Sequence, residues 1–145
     1  MIIDELTNIY LTKEKWHKHK LTQGEADAYH ERLLVNGNIL TYVANGELHG
    51  YLEFWMLSYS QFGRLVCGEP ILTDKEDLLR GNIALINNMW IEESERGGDA
   101  FHMLAGQFLA RCKSADFYVA FRRVKRNQPI QVYTRSEIMK HFKRS

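Results

Sequence analysis

Residues 83–121 read IALINNMWIEESERGGDAFHMLAGQFLARCKSADFYVAF, and this stretch decides the fold class. Residues 83–91 are mostly apolar, which is typical of a strand at the centre of a sheet. A polar turn with two adjacent glycines follows, and residues 117–121 form a second apolar run of strand length. The sequence therefore predicts two central strands connected by the segment between them.

That connecting segment has the apolar spacing of a helix. Its apolar side chains recur at intervals of one, three and four residues, at Phe101, Leu104, Ala105, Phe108, Leu109 and Cys112. This spacing places them on one face of a helix over residues 99–112. Strand, turn, helix and strand make a βαβ unit, so strands 83–91 and 117–122 are predicted to be parallel neighbours.

A hairpin is predicted upstream of this unit. Asn45-Gly46 separates two segments of strand-like sequence, residues 39–44 and 48–55. Asn-Gly favours the two positive φ angles of a type I′ turn, which connects antiparallel strands with two residues.

The N-terminal third is predicted to be mainly helical. Thr22 and Glu25 have the spacing of a capping box, which predicts a helix that runs to about Val35. Asn36-Gly37 is a typical left-handed stop for that helix. Residues 4–19 are predicted to be helical or mixed.

Two further segments complete the prediction. Residues 58–82 contain three glycines and a proline, and we expect them to be irregular. Residues 130–133 are predicted to add a short strand, and Ser136 to cap a last helix that runs through Phe142.

The composition is that of an ordinary globular chain. Of 145 residues, 45% are hydrophobic and 26% are charged, which excludes a disordered or fibrous protein. Cys67 and Cys112 lie far apart and do not suggest a disulfide scaffold. No uncharged run could cross a bilayer, and the N-terminus does not resemble a signal peptide. We expect one domain over residues 1–145, in the cytoplasm and without a membrane partner.

The charge is distributed unevenly. Residues 1–121 hold 11 Lys and Arg against 17 Asp and Glu, a net −6, whereas residues 122–145 hold eight against one, a net +7. A basic C-terminal end on an acidic body suggests an anionic partner: a phosphate-bearing cofactor, a nucleic acid or an acidic protein. The alternative is a solvated basic tail without a partner.

The glycine turn before the predicted helix is the main candidate site. Gly97 and Gly98 would let an anion approach the free N–H groups at a helix N-terminus, and Arg96 would add a cation. This arrangement suits a pyrophosphate, although the turn lacks the dinucleotide-binding and P-loop patterns. A plain connector is the alternative interpretation.

The hairpin, with YVANGELHGYL at residues 42–52, and the βαβ unit together resemble the GNAT acyltransferase superfamily over residues 25–123. In that family a turn of pattern Gln/Arg-x-x-Gly-x-Gly/Ala follows the fourth strand and binds the pyrophosphate of acyl-CoA. Gly98 and Ala100 match the two small positions, whereas Glu95 replaces the first residue with a carboxylate that would repel a pyrophosphate. The resemblance implies an α/β (α+β) fold with a mixed central sheet, N-terminal helices, a hairpin and a βαβ unit.

The resemblance also implies which residues would hold acetyl-CoA or another acyl-CoA. The backbone of Met89, Trp90 and Ile91 would bind the pantetheine arm where two strands splay. The N–H groups of Gly97, Gly98 and Ala100 would bind the phosphates, with Arg96 beside them. Asn127 and Tyr133 are the counterparts of a family Asn and of a Tyr that protonates the leaving thiolate.

A general base would also be needed to accept a proton from the amine. Glu92 follows the central strand at the expected opening, Glu53 lies on the hairpin, and His49 is near the turn. Each could equally be an ordinary surface residue. Asn87-Asn88 interrupts an apolar strand, which suggests a strand splay or a substrate-binding amide.

The leading hypothesis is a small acyl-CoA-dependent N-acyltransferase whose acceptor is a small-molecule or protein amine. A second is a nucleic-acid-associated or DNA-modifying protein of the same fold, as in some viral relatives, which would use residues 122–126. A third is a catalytically inactive fold member. His17, His19 and His30 lack the spacing of a metal site, so no metal is predicted.

Overall fold

The computed structural model describes residues 2–13, 21–96, 98–120 and 130–143. One five-stranded sheet has its strands in chain order, β1 to β5. The strands are β1 Ile39–Ala44, β2 Glu47–Leu57, β3 Ile83–Ile91, β4 Phe117–Ala120 and β5 Gln131–Tyr133. Strands β3 and β4 are parallel and the other neighbours are antiparallel. The predicted mixed sheet and parallel βαβ pair are therefore confirmed.

Five α-helices accompany the sheet in the described ranges: α1 Ile2–Thr12, α2 Gln23–Asn36, α3 Tyr59–Val66, α4 Asp99–Arg111 and α5 Arg135–Lys143. Helix α2 begins with the predicted capping box and ends at Gly37, which has φ +78°. Within the same ranges, no helix combines the length and the apolar character needed to cross a membrane.

The predicted hairpin is confirmed as well. Asn45 and Gly46 have φ values of 53° and 76°, as a type I′ turn requires. Strands β1 and β2 pair on either side of this turn, from Ala44 opposite Glu47 to Ile39 opposite Glu53.

Two predictions about helices are wrong. Residues 58–82 are not irregular throughout, because Ser58 and Gln61 form a capping box that opens α3. Phe62 and Leu65 of α3 pack against the core, but Gly63 lies between them and the helix has only eight residues, so its apolar spacing does not stand out from the glycine-containing segment around it. The cap of α5 is Thr134, not Ser136: the Thr134 hydroxyl accepts from the Glu137 N–H, and the Glu137 carboxylate accepts from the Thr134 N–H.

Both faces of the sheet are covered. Helices α4 and α5 pack on one face, with Phe108, Leu104 and Ile138 fully buried against it. Helices α1 and α2 cover one part of the other face. Helix α3 and residues 71–78 cover the rest of that face. This explains why residues 50–57 of β2 are all buried, in a continuous run of eight that lacks an alternation.

Two β-bulges interrupt the sheet. Glu53 lies opposite Asn88 and Phe54 lies opposite Ile86, so Asn87 is an extra residue in β3. Likewise, Tyr42 lies opposite Gly50 and Val43 opposite Leu48, so His49 is an extra residue in β2. A bulge redirects the side chains around it, and bulges occur often beside active sites.

Gly81 makes the tightest backbone approach among the described glycines. A Cβ atom at this position would lie 1.9 Å from the Leu57 carbonyl carbon and 2.4 Å from the Ser58 nitrogen. We expect Gly81→Ala to lower the free energy of unfolding by about 2–3 kcal/mol, because the backbone must shift to admit a methyl group. Urea unfolding measures this loss, and Gly63→Ala, with no atom within 4 Å of its added Cβ, is the matched control.

Candidate active site

The first part of the candidate site is the start of α4, just after β3. Gly98 is the N-cap residue of α4, and it provides no side-chain hydrogen bond to the N–H groups of the first turn. The N–H of Gly98 itself donates to the Glu95 carbonyl over 3.2 Å. The Ala100 side chain is fully buried, so this residue packs into the core in addition to presenting its backbone N–H at the start of α4. Within the part of the chain that the structure describes, the first turn of α4 therefore has N–H donors without a side-chain cap.

The charge around this turn is mainly negative. Residues 92–100 contain Glu92, Glu93, Glu95 and Asp99 against a single cation, Arg96. The Arg96 Nε donates to the Ile91 carbonyl over 3.1 Å, which directs this side chain back toward the end of β3. Gly97 lies outside the described residues. The binding of an anion at this turn would therefore depend more on backbone N–H groups than on side-chain charge.

His49 and Glu92 form a close pair beside the turn. The Nδ1 of His49 contacts a Glu92 carboxylate oxygen, and its Nε2 lies 3.1 Å from the Ala44 carbonyl oxygen. Both neighbours are acceptors, so the protonated imidazole, with hydrogen on both ring nitrogens, satisfies both contacts. The hydrogen bond to Glu92 raises the pKa of His49 above its ordinary value of 6.5. His49 connects the hairpin to the end of β3 and is not a free base.

The His49 pair predicts a pH-dependent stability. Because the pKa of His49 is raised in the folded state, its contribution is fully present below about pH 6.5 and is lost as the pH rises through the folded-state pKa. We expect the melting temperature of the native chain to exceed that of His49→Gln most at low pH, with the gap closing at alkaline pH. Melting curves of both proteins across this range test it. Parallel curves would contradict the paired, charged state.

The second part of the candidate site is a buried carboxylate at the centre of the sheet. Glu53 is only 3% exposed, so the interpretation of it as an ordinary surface residue is wrong. Its Oε2 accepts from the Tyr29 hydroxyl, from Trp55 Nε1 over 2.9 Å and from Asn87 Nδ2 over 2.8 Å. Three donors on one oxygen compensate for burying the negative charge and fix its position.

The neighbours of Glu53 are themselves held in place. Burial, followed by the charge of Glu53, raises the pKa of Tyr29 well above its ordinary value of 10, so Tyr29 remains a donor. On β3, Asn88 Nδ2 donates to the Tyr51 hydroxyl over 2.8 Å. The bulge residue Asn87 and its neighbour Asn88 thus each donate to a buried polar group, and Asn87 also orients Glu53.

The predicted cofactor-binding residues of β3 lie at its C-terminal end. Among the described residues, the parallel pairing of β3 with β4 stops at Ile86 opposite Ala120. Met89, Trp90 and Ile91 continue beyond that point. Trp90 is buried, with its ring centroid 6.4 Å from that of Tyr51.

Tyr133, the predicted general acid, does not lie at the C-terminal end of β3. Tyr133 lies in β5 opposite Tyr118, which in turn lies opposite Ala84. Ala84 is seven residues before Ile91, about 23 Å along a strand. The Tyr133 hydroxyl donates to the Gln131 side chain. Asn127 lies outside the described residues.

Sequence reasoning missed Tyr29 and Trp55 as partners of the Glu53 carboxylate. Trp55 is two residues from Glu53 in β2 and therefore shares its face of the sheet. That spacing could have indicated a buried acceptor beside an indole donor. Nothing in the sequence of α2 connects Tyr29 to Glu53. Within the described ranges, no group of His, Cys, Asp and Glu side chains could hold a metal ion.

Among the comparisons with known proteins, only those of three-dimensional structure give a match, and they support the fold. No protein-family model matches the chain, and no curated protein sequence matches it. Among solved structures, a GNAT-like decarboxylase, GphF, in complex with isobutyryl-CoA covers 81% of this chain with a TM-score of 0.55 and 12% identity. The chain has the GNAT fold.

Two further solved structures share this fold. An N-acetyltransferase from Staphylococcus aureus Mu50 covers 82% of the chain at 14% identity, with a TM-score of 0.52. The protein yncA of Salmonella typhimurium, solved with acetyl-CoA, has the same coverage and identity and a TM-score of 0.50. The match spans 60% of the length of the decarboxylase, 64% of the Staphylococcus aureus protein and 61% of yncA.

Proposed function

We propose that this chain is an acyl-CoA-dependent N-acyltransferase that transfers an acyl group to an amine. The observation that carries the proposal is the open first turn of α4, which directly follows β3 in a GNAT-type sheet. Two solved proteins with this fold hold an acyl-CoA, isobutyryl-CoA in one and acetyl-CoA in the other. Because one of them is a decarboxylase, the fold alone leaves the reaction open.

The residues present fit an acyl-CoA through backbone groups. The N-terminal N–H groups of α4 would bind the pyrophosphate, and Gly98 keeps side-chain bulk away from it. The backbone of residues 89–91 would hold the pantetheine arm beyond the described end of β4. Glu95 opposes the pyrophosphate charge, so we expect modest affinity. Bound acyl-CoA supplies an acyl group that is activated as a thioester.

We assign the general base to Glu53 rather than Glu92. The Glu92 carboxylate is engaged in its contact with His49, so it is not free to meet an amine. Glu53 is buried beside the bulge in β3, and three donors hold its Oε2 in place. It would accept the amine proton directly or through the Tyr29 hydroxyl. The position of Tyr133 in β5 gives no support to its proposed role as general acid.

A thermal shift with coenzyme A and acetyl-CoA tests the proposal. A ligand at a hundredfold above its dissociation constant adds about 2.7 kcal/mol of stability, which corresponds to several degrees in the melting temperature. Acetylation of an amine panel, followed by mass spectrometry, then tests the reaction. The absence of a shift at millimolar coenzyme would contradict the proposal.

Nucleic-acid binding remains a second candidate because residues 122–145 carry a net +7. Residues 122–126, on which it depends most, lie outside the described part of the chain. If Arg123, Lys125 and Arg126 contact phosphates, their replacement by Gln should flatten the log–log salt dependence of DNA binding by roughly 0.9 per lost contact. The absence of DNA binding by the native chain would identify a solvated basic tail.

We further propose that residues 1–145 act as one domain in the cytoplasm. Cys67 and Cys112 are both free thiols in the fold, as a reducing compartment favours. The acceptor in the proposed reaction is a small-molecule or protein amine.

A further inference from the structure

A cavity of about 250 Å³ lies between the C-terminal half of α2 and residues 73–80. Its polar wall includes Tyr29 and Arg32 from α2 and Thr73 from the opposite loop. Small-molecule sites usually measure roughly 300–1,000 Å³, so this cavity suits a ligand about the size of one amino acid.

Most charged groups of the wall already have an opposite charge beside them. Glu76 pairs with Arg64, which holds the pKa of the Glu76 carboxyl at about 2. The Arg80 Nε lies 3.2 Å from an Asp77 carboxylate oxygen. These two pairs leave no net charge on that side of the cavity.

Arg32 is the exception on this wall. Its Nε is buried and has no hydrogen-bond partner among the described residues. Its guanidinium lies over the Tyr29 ring, with Cζ 5.9 Å from the ring centroid. Burial shields the Nε itself from a ligand, but the terminal nitrogens of the same guanidinium are not among these buried atoms, so a ligand in the cavity can supply them with an acceptor.

We propose that this cavity is the acceptor site of the enzyme, and that it binds an amine that carries a carboxylate and has the size of a single amino acid. A carboxylate matches the planar donor fork of an arginine. Because the carboxylates of Glu76 and Asp77 are already paired, Arg32 supplies one positive charge, which a single carboxylate balances and a more highly charged phosphate would exceed. The inference rests on the proposed acyltransferase function.

The cavity also adjoins the proposed general base. Tyr29 lines the cavity, and its hydroxyl donates to Glu53. With the carboxylate of the acceptor on Arg32, its amine would lie toward Tyr29. As the amine nitrogen bonds to the thioester carbonyl carbon and the C–S bond breaks, coenzyme A would leave as its thiolate and take a proton from solvent. The amine proton would pass to the Tyr29 oxygen while the Tyr29 hydroxyl proton passes to Glu53, so one proton enters and one leaves the tyrosine.

Calorimetry with the free amino acids and their carboxamides as probes tests the site without coenzyme. We expect at least one free amino acid to bind, and its carboxamide to bind about tenfold more weakly or worse. Arg32→Gln should remove this preference. Arg80→Gln is the matched control: it changes an arginine of the same cavity whose side chain is 88% exposed, and the preference should persist.

Stability is a second measurement on the same variants. Because Arg32 Nε has no partner among the described residues, Arg32→Gln should fold with a melting temperature equal to or above that of the native chain. Binding of no free amino acid, equal binding of the carboxamides, or an unchanged preference in Arg32→Gln would overturn the proposal. A coenzyme A thermal shift without amino-acid binding contradicts only this inference. Amino-acid binding without a coenzyme shift contradicts the proposed acyltransferase.

Discussion

Replacing Glu53 with alanine is expected to destabilise the fold by about 3–5 kcal/mol, a large share of the roughly 5–15 kcal/mol typical of a domain. The substitution leaves the donors of Tyr29, Trp55 and Asn87 in a buried space without their acceptor. Urea unfolding of the native chain and the variant measures the loss. A loss below about 1 kcal/mol would show that water readily replaces the carboxylate.

Glu53→Gln separates the catalytic role from the structural one. The amide oxygen can still accept these donors, so we expect a folded protein that binds coenzyme A like the native chain. Without a carboxylate to accept the amine proton, acyl transfer should slow by about 10²–10⁴-fold, with a changed pH profile. Glu92→Gln is the control, since Glu92 is engaged with His49 and should affect the rate much less. Comparable rates for Glu53→Gln and the native chain would exclude Glu53 as the base.

Gly98→Glu is expected to abolish the thermal shift with coenzyme A. The nearest atom to an added Cβ is the Glu95 carbonyl oxygen at 3.4 Å, an ordinary contact, so the fold should tolerate the side chain. The new carboxylate would join those of Glu95 and Asp99 where the pyrophosphate is proposed to bind. We expect affinity to fall at least a hundredfold, since bulk and charge both oppose the ligand.

Glu95→Arg should act in the opposite direction and strengthen coenzyme binding by roughly tenfold, because it replaces a repulsive charge with an attractive one. Glu93→Arg is the matched control: it makes the same change of charge in the same turn, at an exposed residue. A similar gain in both variants would indicate a general charge effect. An unchanged shift in both Gly98→Glu and Glu95→Arg would mean that the turn is only a connector.

Local sequence signals determined most of the elements. The apolar run at residues 83–91, the helical spacing over residues 99–112 and the Asn45-Gly46 turn each specify a conformation within a short window. The capping box at Thr22 and Glu25 is equally local. The parallel pairing of β3 and β4 followed because a helix between two strands leaves few other topologies. Helix α3 was not predicted because it is only eight residues long and contains Gly63, so its apolar spacing is too short to stand out in a segment with two further glycines and a proline.

The arrangement of the candidate site came only from the tertiary structure. Glu53 in a strand has the sequence signature of a surface carboxylate, and only the packing of α2 brings the Tyr29 hydroxyl to it. The extra residues in β2 and β3, His49 and Asn87, depend on the register between strands, which no single window of sequence contains. The sequence by itself therefore determined the sheet, the hairpin and the glycine turn, since these depend on neighbours along the chain. The buried carboxylate, the His49–Glu92 pair and the cavity beside Arg32 depend on contacts between distant segments, so only the folded chain decided them.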